Sequence, residues 1–332
     1  MSTSSVSSSP SSSFNPWGFV LKHSTIIVFL VILVVASLTT DRFFTPGNMR
    51  NVLSQSALLG TVACGMLLVI LTGGIDLSVG SLLAMSSIVT ALTIKDHGLV
   101  VGVVAGVLSG AAAGMVTGLL VALGKMAPFV ASLVMMTVAR GVALIMSNGN
   151  PIAINSDFLE EFGTGSILPV RFSSGSFSIP IIFLVMLAVV LVTLFILRKT
   201  AFGRIVTAIG SNETAVAHAG IPTRVYIFMV YVLSGLACGI GAIIACSRSG
   251  VGSPILGQGF ELDAIAAVVI GGASLAGGRG TAINTLLGAL ILGVISNYMN
   301  IRGIPGYHQN IVKGVIIALA VLVEGLKDRS SR

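Results

Sequence analysis

Charge is scarce in this sequence. Only 9% of its 332 residues are Asp, Glu, Lys or Arg, against about 25% in a soluble domain, and the mean hydropathy is +1.03. A water-soluble globular fold is excluded, because there is too little charge to cover its surface. Aromatic residues are scarce too, at 6%, with one tryptophan, Trp17, near the N-terminus. A tight carbohydrate site, which would use aromatic faces and many hydrogen bonds, is therefore not evident. The three cysteines, Cys64, Cys238 and Cys246, fall in or beside apolar stretches without metal-ligand spacing. They read as small buried hydrophobes. The histidines, His23, His97, His218 and His308, sit near loops, and no Ser-His-Asp set, metal pair or carboxylate dyad shares a segment. Catalysis by this chain is not expected. The net charge of +7 comes from basic residues strung between apolar runs rather than gathered in a patch, so nucleic acid is not an expected partner.

What is present is long apolar runs. They repeatedly exceed the ~20 residues that span a bilayer, which makes lipid the solvent of this chain. The expected class is an all-α polytopic membrane protein of about ten spans, one or two of them broken or re-entrant. The segments read as 24–40, 51–73, 77–94, 99–123, 127–147, 179–198, 225–247, 261–276, 281–300 and 309–326. Residues 1–23 form a serine-rich, disordered cytoplasmic tail, 24–326 the membrane domain, and 327–332 a short second tail. The run from Ser24 to Leu38 lacks a small-residue cleavage site and reads as an anchor. With the N-terminus inside, ten loop or tail cations face the cytoplasm and seven face out. The cluster Arg198, Lys199, Arg204 and Arg224 carries most of that bias, because short basic loops resist translocation. Both termini then face the cytoplasm.

The stretch Leu67–Ser81, LLVILTGGIDLSVGS, places Gly73, Gly74, Asp76, Ser78, Gly80 and Ser81 in the middle of apolar sequence. A carboxylate at membrane depth costs at least ~2.5 kcal/mol unless held, and paired glycines free the backbone from helical geometry. Broken helices survive in membranes only beside protein or a water-filled cavity. This segment therefore reads as an interrupted helix beside a pathway. Asp76 would cap the following helix through the amide of Ser78 or Val79, pair with Arg140, or serve as an ion site. Arg140, the one basic residue well inside a span, would snorkel, bond helix carbonyls, pair with Asp76, or line the passage. A second break, Val268-Val269-Ile270-Gly271-Gly272, echoes Ile70-Leu71-Thr72-Gly73-Gly74, as duplicated transporters often do.

Two other patterns stand out. Gly102, Gly106, Gly110, Gly114 and Gly118 recur every fourth residue, and Gly235 and Gly239 repeat the spacing briefly. Such a stripe lets another helix approach closely, either within the chain or at a subunit interface. The stretch 198–224, RKTAFGRIVTAIGSNETAVAHAGIPTR, is the longest inward loop and carries helix signals of its own. Asn212 would cap, Glu213 would meet the positive helix end, His218 lies near the other end, Gly220 would close it in the left-handed conformation, and Pro222 would stop it. Its small residues Ala215, Val216, Ala217 and Ala219 suit insertion into a groove on another protein, or packing against the chain's own spans. The external loop, 147–178, either receives a delivery protein or caps the spans.

GGIDLSVGS at 73–81, GRIVTAIGSNETAVAHAGI at 203–221 and GGASLAGGRGT at 271–281 together resemble the membrane subunit of bacterial ABC sugar importers, the ribose, xylose and arabinose permease family. The resemblance covers roughly Ser24 to Gly325, and departs at Ala273, where that family's pattern has threonine. It implies an inner-membrane protein in which two permease copies form the path. It also implies that the 203–221 helix, with Arg204, couples them to a separate ATPase subunit, and that a periplasmic binding protein delivers the sugar. No cofactor is expected in this chain: Gly277-Gly278-Arg279-Gly280-Thr281 lacks the Gly-Lys-Ser/Thr ending of a phosphate loop. ATP would be bound by the partner. The competing reading is an ion-coupled secondary transporter with Asp76 as its ion or proton site. An intramembrane enzyme has no plausible catalytic set.

Overall fold

The computed structural model describes residues 24–172 and 175–330. The expected serine-rich tail at 1–23 lies outside the described residues, as do 331–332. The chain begins with five helices: α1 (Ser24–Thr39), α2 (Pro46–Leu71), α3 (Val79–His97), α4 (Leu99–Ala122) and α5 (Pro128–Ser147). Next come β1 (Ile152–Ala153), α6 (Asp157–Thr164) and a hairpin of β2 (Ser166–Phe172) with β3 (Gly175–Pro180). The rest is α7 (Ile181–Lys199), α8 (Ala201–His218), α9 (Thr223–Ser249), β4 (Val251–Gly252), α10 (Phe260–Ile270), α11 (Ala282–Ile301) and α12 (Gly306–Ser330).

Seven of these helices, α2, α3, α4, α5, α7, α9 and α11, are long and apolar enough to cross a membrane. Three of the expected ten segments are not among the seven. α1 has 16 residues. α12 runs from Gly306 to Ser330. α10 has only 11 residues, and at 1.5 Å per residue it reaches about half of a ~30 Å hydrocarbon core. The expected all-α class also acquires two small sheets, β1 paired with β4 and β2 with β3, both antiparallel.

α2 is the axis of the bundle. Pro46 opens its first turn, where its missing N–H is no loss, and every residue from Leu59 to Leu71 is buried. Packed around it are α7, α9, α10 and α11, through one continuous core that includes Met66, Leu67, Ile70, Met186, Tyr231 and Leu292.

The glycine stripe is spent inside the chain. All five of its glycines are buried. A methyl group on Gly110 would stand 2.8 Å from the Gly239 nitrogen, and one on Gly114 would stand 3.0 Å from the Gly235 Cα. Gly102 and Gly106 face Ile94 and Thr90 of α3, and Gly118 faces Phe228. α4 and α9 thus touch backbone to backbone, which removes the subunit-interface reading for this stripe.

The segment between α5 and α7 caps one end of the bundle. Ser156 accepts from the Leu159 amide to start α6, Leu159 and Gly163 are buried, and Gly163 lies against the Ser247 carbonyl of α9. Arg50 donates to the Thr164 carbonyl, tying α6 to α2. The hairpin follows at the same end, and both helix breaks lie at the opposite end.

Candidate functional site

The first break occupies 72–78. α2 ends when the Gly73 amide donates to Ile70 and the Gly74 amide to Val69, with Gly73 at φ +79. A side chain there would be strained, so this is a glycine-closed helix end. Asp76 then folds back on itself. Its Oδ1 accepts from the Ser78 amide at 3.0 Å and from the Ser78 hydroxyl at 2.5 Å, while Oδ2 accepts from the Ser234 hydroxyl of α9 at 2.9 Å. Asp76, Ser78 and Ser234 are all fully buried. The expected bond to the Ser78 amide is present, but the capping position of α3 belongs to Ser78, whose carbonyl takes the Leu82 amide. Asp76 stands two residues earlier, in a local side-chain turn that also bolts the break to α9. Ser234 lies 158 residues away, and nothing in the sequence marks it as a partner.

The pairing of Asp76 with Arg140 is overturned. Arg140 Nη1 donates instead to the carbonyls of Pro254 and Leu256, at 2.6 and 2.8 Å. Those carbonyls belong to the strap of turns between β4 and α10. Arg140 does bond carbonyls, as one reading expected, but those of this strap rather than of a helix. Ser87 fastens the strap a second time, accepting from the Ser253 amide at 3.1 Å. Gly80 lets it lie against α3: a methyl on Gly257 would stand 2.7 Å from the Gly80 carbonyl. α10 is anchored in turn by an ion pair, Asp263 with Lys313 at 2.7 Å.

Beside the strap is a cavity of about 500 Å³. Ser81 of α3, Thr137 and Arg140 of α5, and Gln258 and Glu261 at the head of α10 supply its polar wall. Ser81 and Arg140 were expected here. Gln258 and Glu261 were not, because only the strap brings them across from α5.

The second break lies at 271–281. Here the Gly272 amide donates to Val269 and the Ala273 amide to Val268, with Gly272 at φ +82. The bonding repeats that of the first break, with a correction of register. Gly272, not Gly271, corresponds to Gly73, and Ala273 to Gly74. Gly271 is still helical, and a methyl on it would come 2.6 Å from the Asn284 carbonyl. Gly277 and Gly278 carry the chain on at φ +92 and +74, and Thr281 caps α11 through the Asn284 amide at 3.2 Å.

The 201–218 segment corrects the loop reading. Its first part is helical and opens with Thr200 accepting from the Gly203 amide at 3.2 Å. At Asn212 the backbone leaves the helix, φ −164 and ψ 92, and the Asn212 side chain accepts from the Ala215 amide at 2.9 Å. The expected cap is present, and so is the left-handed closure at Gly220, φ +81. Glu213 accepts from the Thr223 hydroxyl at 3.1 Å. Arg204, Ala215, Ala217, His218 and Gly220 are exposed, but Val216 is buried and is not part of the smooth outer face.

Gly210 is the residue that sequence reasoning missed. It lies against the Leu71 carbonyl and the Gly278 amide, and a methyl on Gly277 would stand 2.9 Å from both Gly210 Cα and the Gly73 nitrogen. The Gly278 amide also donates to the Leu71 carbonyl at 3.0 Å. α8 and both breaks therefore meet at one side-chain-free junction. Among the described residues no cluster of His, Cys, Asp and Glu could hold a metal ion.

Residues 48–321 match the family described as the permease component of branched-chain amino acid transport systems. The chain is 41% identical over 315 residues to the ribose import permease protein of Escherichia coli strain K12, covering 93% of this chain and 95% of the relative. It is 42% identical to the ribose import permease protein of Bacillus subtilis strain 168, covering 94% and 95%. It is 35% identical to the L-arabinose ABC transporter permease of Azospirillum brasilense, covering 95% and 91%. No solved structure matches.

Proposed function

The chain belongs to this ABC-importer permease family and is the membrane translocation subunit of a sugar importer, and we propose that two copies of it form the path for a pentose or related small sugar. It is a channel subunit rather than an enzyme, and it resides in the bacterial inner membrane. Its partners are those of such an importer, an ATPase subunit that binds the ATP and a periplasmic binding protein. In this reading ten segments lie in the membrane, α10 as a re-entrant half-helix, and both termini face the cytoplasm. The end carrying the breaks is then cytoplasmic and the hairpin end periplasmic, where α6 and the hairpin receive the binding protein.

The observation that carries the mechanism is the junction of Gly73, Gly210 and Gly277. The helix from Glu213 to Ala219, offering Ala215, Ala217 and His218, docks on the ATPase. Movement there passes along α8 into both breaks without a flexible side chain between them. Packed backbones have few alternative arrangements, so a small displacement is passed on rather than absorbed. The passage is the cavity at Arg140. Its donors and acceptors, on Ser81, Thr137, Gln258 and Glu261, suit sugar hydroxyls, and the lack of aromatic platforms keeps binding weak enough for release. The cavity runs along α5, which lines it with Met136, Thr137, Arg140, Gly141 and Leu144 and leaves Val138 and Ile145 51% and 78% exposed. Charged groups there could not open onto hydrocarbon without a cost of several kcal/mol. A second copy against α5 closes the wall. The ion-coupled alternative has no support at Asp76, whose oxygens are taken by serine donors and which does not line the cavity.

Ala217→Arg tests the coupling role. A large charged side chain in a packed contact costs ~1–3 kcal/mol or more, so the ATPase should fail to co-purify while membrane insertion stays normal. An intact complex with normal uptake in this variant would remove the assignment.

A further inference from the structure

A cavity of about 330 Å³ lies at the break end, away from the passage, between the first break, the turn joining α4 to α5, and the start of α9. Thr72, Gly74, Lys125, Glu213, Arg224 and Tyr231 line it. Two of these residues are held unfavourably. Tyr231 is fully buried, yet its hydroxyl has no hydrogen-bond partner, and buried hydroxyls are normally matched. Lys125 has φ +53, a left-handed conformation, which lets Met126 donate to the Leu120 carbonyl and turns the chain out of α4. Glycine is the unstrained choice at such a position, and Gly124 stands one residue too early to serve. Strain kept at a cavity wall points to a function there.

The remaining chemistry says what the cavity holds. Lys125 and Arg224 are exposed cations, and the one acidic group, Glu213, already accepts from Thr223. Leu123, Phe129 and Val225, next to those cations, are 65%, 53% and 55% exposed, which puts the mouth at a lipid boundary. Arginine matches phosphate oxygens geometrically, and basic pockets between membrane helices on the cytoplasmic side take anionic headgroups.

We infer that this cavity binds a phosphate group, either the headgroup of an anionic lipid or free phosphate, with Arg224 and Lys125 neutralising it and the Tyr231 hydroxyl donating to one of its oxygens. The phosphate supplies the partner that Tyr231 lacks and the reason for a lysine in a glycine conformation. It would rest against Thr72 and Gly74 on one side and Glu213 on the other, so its occupancy bears on the break and the docking helix together. The sugar path has no part in this site, and the two stand or fall separately.

The test uses the full chain purified in a neutral detergent and titrated with dioleoyl phosphatidylglycerol or with inorganic phosphate. Unfolding midpoints and native mass spectra are read for the wild type, Lys125→Gly and Tyr231→Phe. Without ligand both variants should unfold at or above the wild-type midpoint, because each relieves an unfavourable feature. Phosphatidylglycerol should raise the wild-type midpoint and be retained in its spectrum, with apparent affinity about tenfold or more lower in the variants, the scale of a lost charge-assisted hydrogen bond. A response to inorganic phosphate alone, lost in the same variants, assigns the site to the free ion. Equal responses of all three proteins to both probes, or no response at all, would overturn the proposal.

Discussion

The two breaks share one helix ending and are held open by different means. In both, a left-handed glycine closes the helix and the next amide reaches back five residues, from Gly74 to Val69 and from Ala273 to Val268. Beyond that point the first break is bound through a side chain: Asp76 gathers three donors from Ser78 and Ser234. The second carries backbone bonds of its own. Ser274 donates to the Arg279 carbonyl and Gly278 to Leu71, with left-handed glycines at 277 and 278. One break is bolted to α9, whereas the other leans on the first break and on α8. Motion delivered by α8 should therefore shift the second break more readily, and the first should act as its abutment.

Filling the junction is the most severe way to break that comparison. In Gly210→Val the first added carbon overlaps the Leu71 carbonyl and the Gly278 amide, both backbone. Overpacking of a tight contact costs ~1–3 kcal/mol, and here neither neighbour is a side chain that could swing away. Uptake in proteoliposomes holding the whole importer should fall by about tenfold or more, a factor equal to ~1.4 kcal/mol. Normal ATP-driven uptake by this variant would show that α8 does not act through the junction.

The Asp76 bolt comes next. Asp76→Ala strands the Ser78 amide and the hydroxyls of Ser78 and Ser234 in a buried site, at ~1–3 kcal/mol for each donor left unmatched. A large loss of thermal stability is expected. Asp76→Asn keeps an acceptor for the Ser78 amide, and its amide group can donate to the Ser234 oxygen, so most stability and uptake should remain. Uptake by both variants, at matched membrane levels and with the ion gradient collapsed, checks this. A dead but folded and assembled asparagine variant would show that the charge itself is needed.

How much of this was legible follows from which contacts are local. Asn212 and Gly220 announce their helix, and Gly73 its helix end, because caps depend on neighbours within a turn. The glycine spacing in α4 announced a close approach but not its partner, since Gly235 and Gly239 offer the same smooth surface that another subunit would. Ser234 on Asp76, the Pro254 and Leu256 carbonyls on Arg140, and Gly210 on Gly277 could not be read, because each joins residues far apart by chain. Carbonyl bonding by Arg140 was among the readings the sequence allowed, but which carbonyls it meets was not legible, because Pro254 and Leu256 lie far along the chain. The echo between the breaks was read one residue out of register, because Gly271-Gly272 copies Gly73-Gly74 in letters while the hydrogen bonds align Ala273 with Gly74.

That corrected register yields the smallest and sharpest test. Positions 74 and 273 have the same backbone role, yet one is glycine and the other a buried alanine, 1% exposed. The difference lies in the neighbours. A methyl on Gly74 would come 2.8 Å from the Tyr231 hydroxyl oxygen and 3.2 Å from a Val69 methyl. Gly74 is not at positive φ, so Gly74→Ala meets a contact rather than backbone strain. Its cost should be about 1 kcal/mol, the low end for overpacking. Ala273→Gly loses one buried methyl, ~0.8 kcal/mol, through a different neighbourhood. In a Tyr231→Phe background the oxygen that crowds residue 74 is gone. The penalty of Gly74→Ala should then shrink by about half a kcal/mol, the scale above which coupling is distinguishable from additivity, and that of Ala273→Gly should not change. Unfolding midpoints of the six proteins that complete both cycles decide the matter. Equal coupling of Tyr231 to both positions would mean that the breaks respond as one unit, and that the side-chain bolt at Asp76 does not set the first apart.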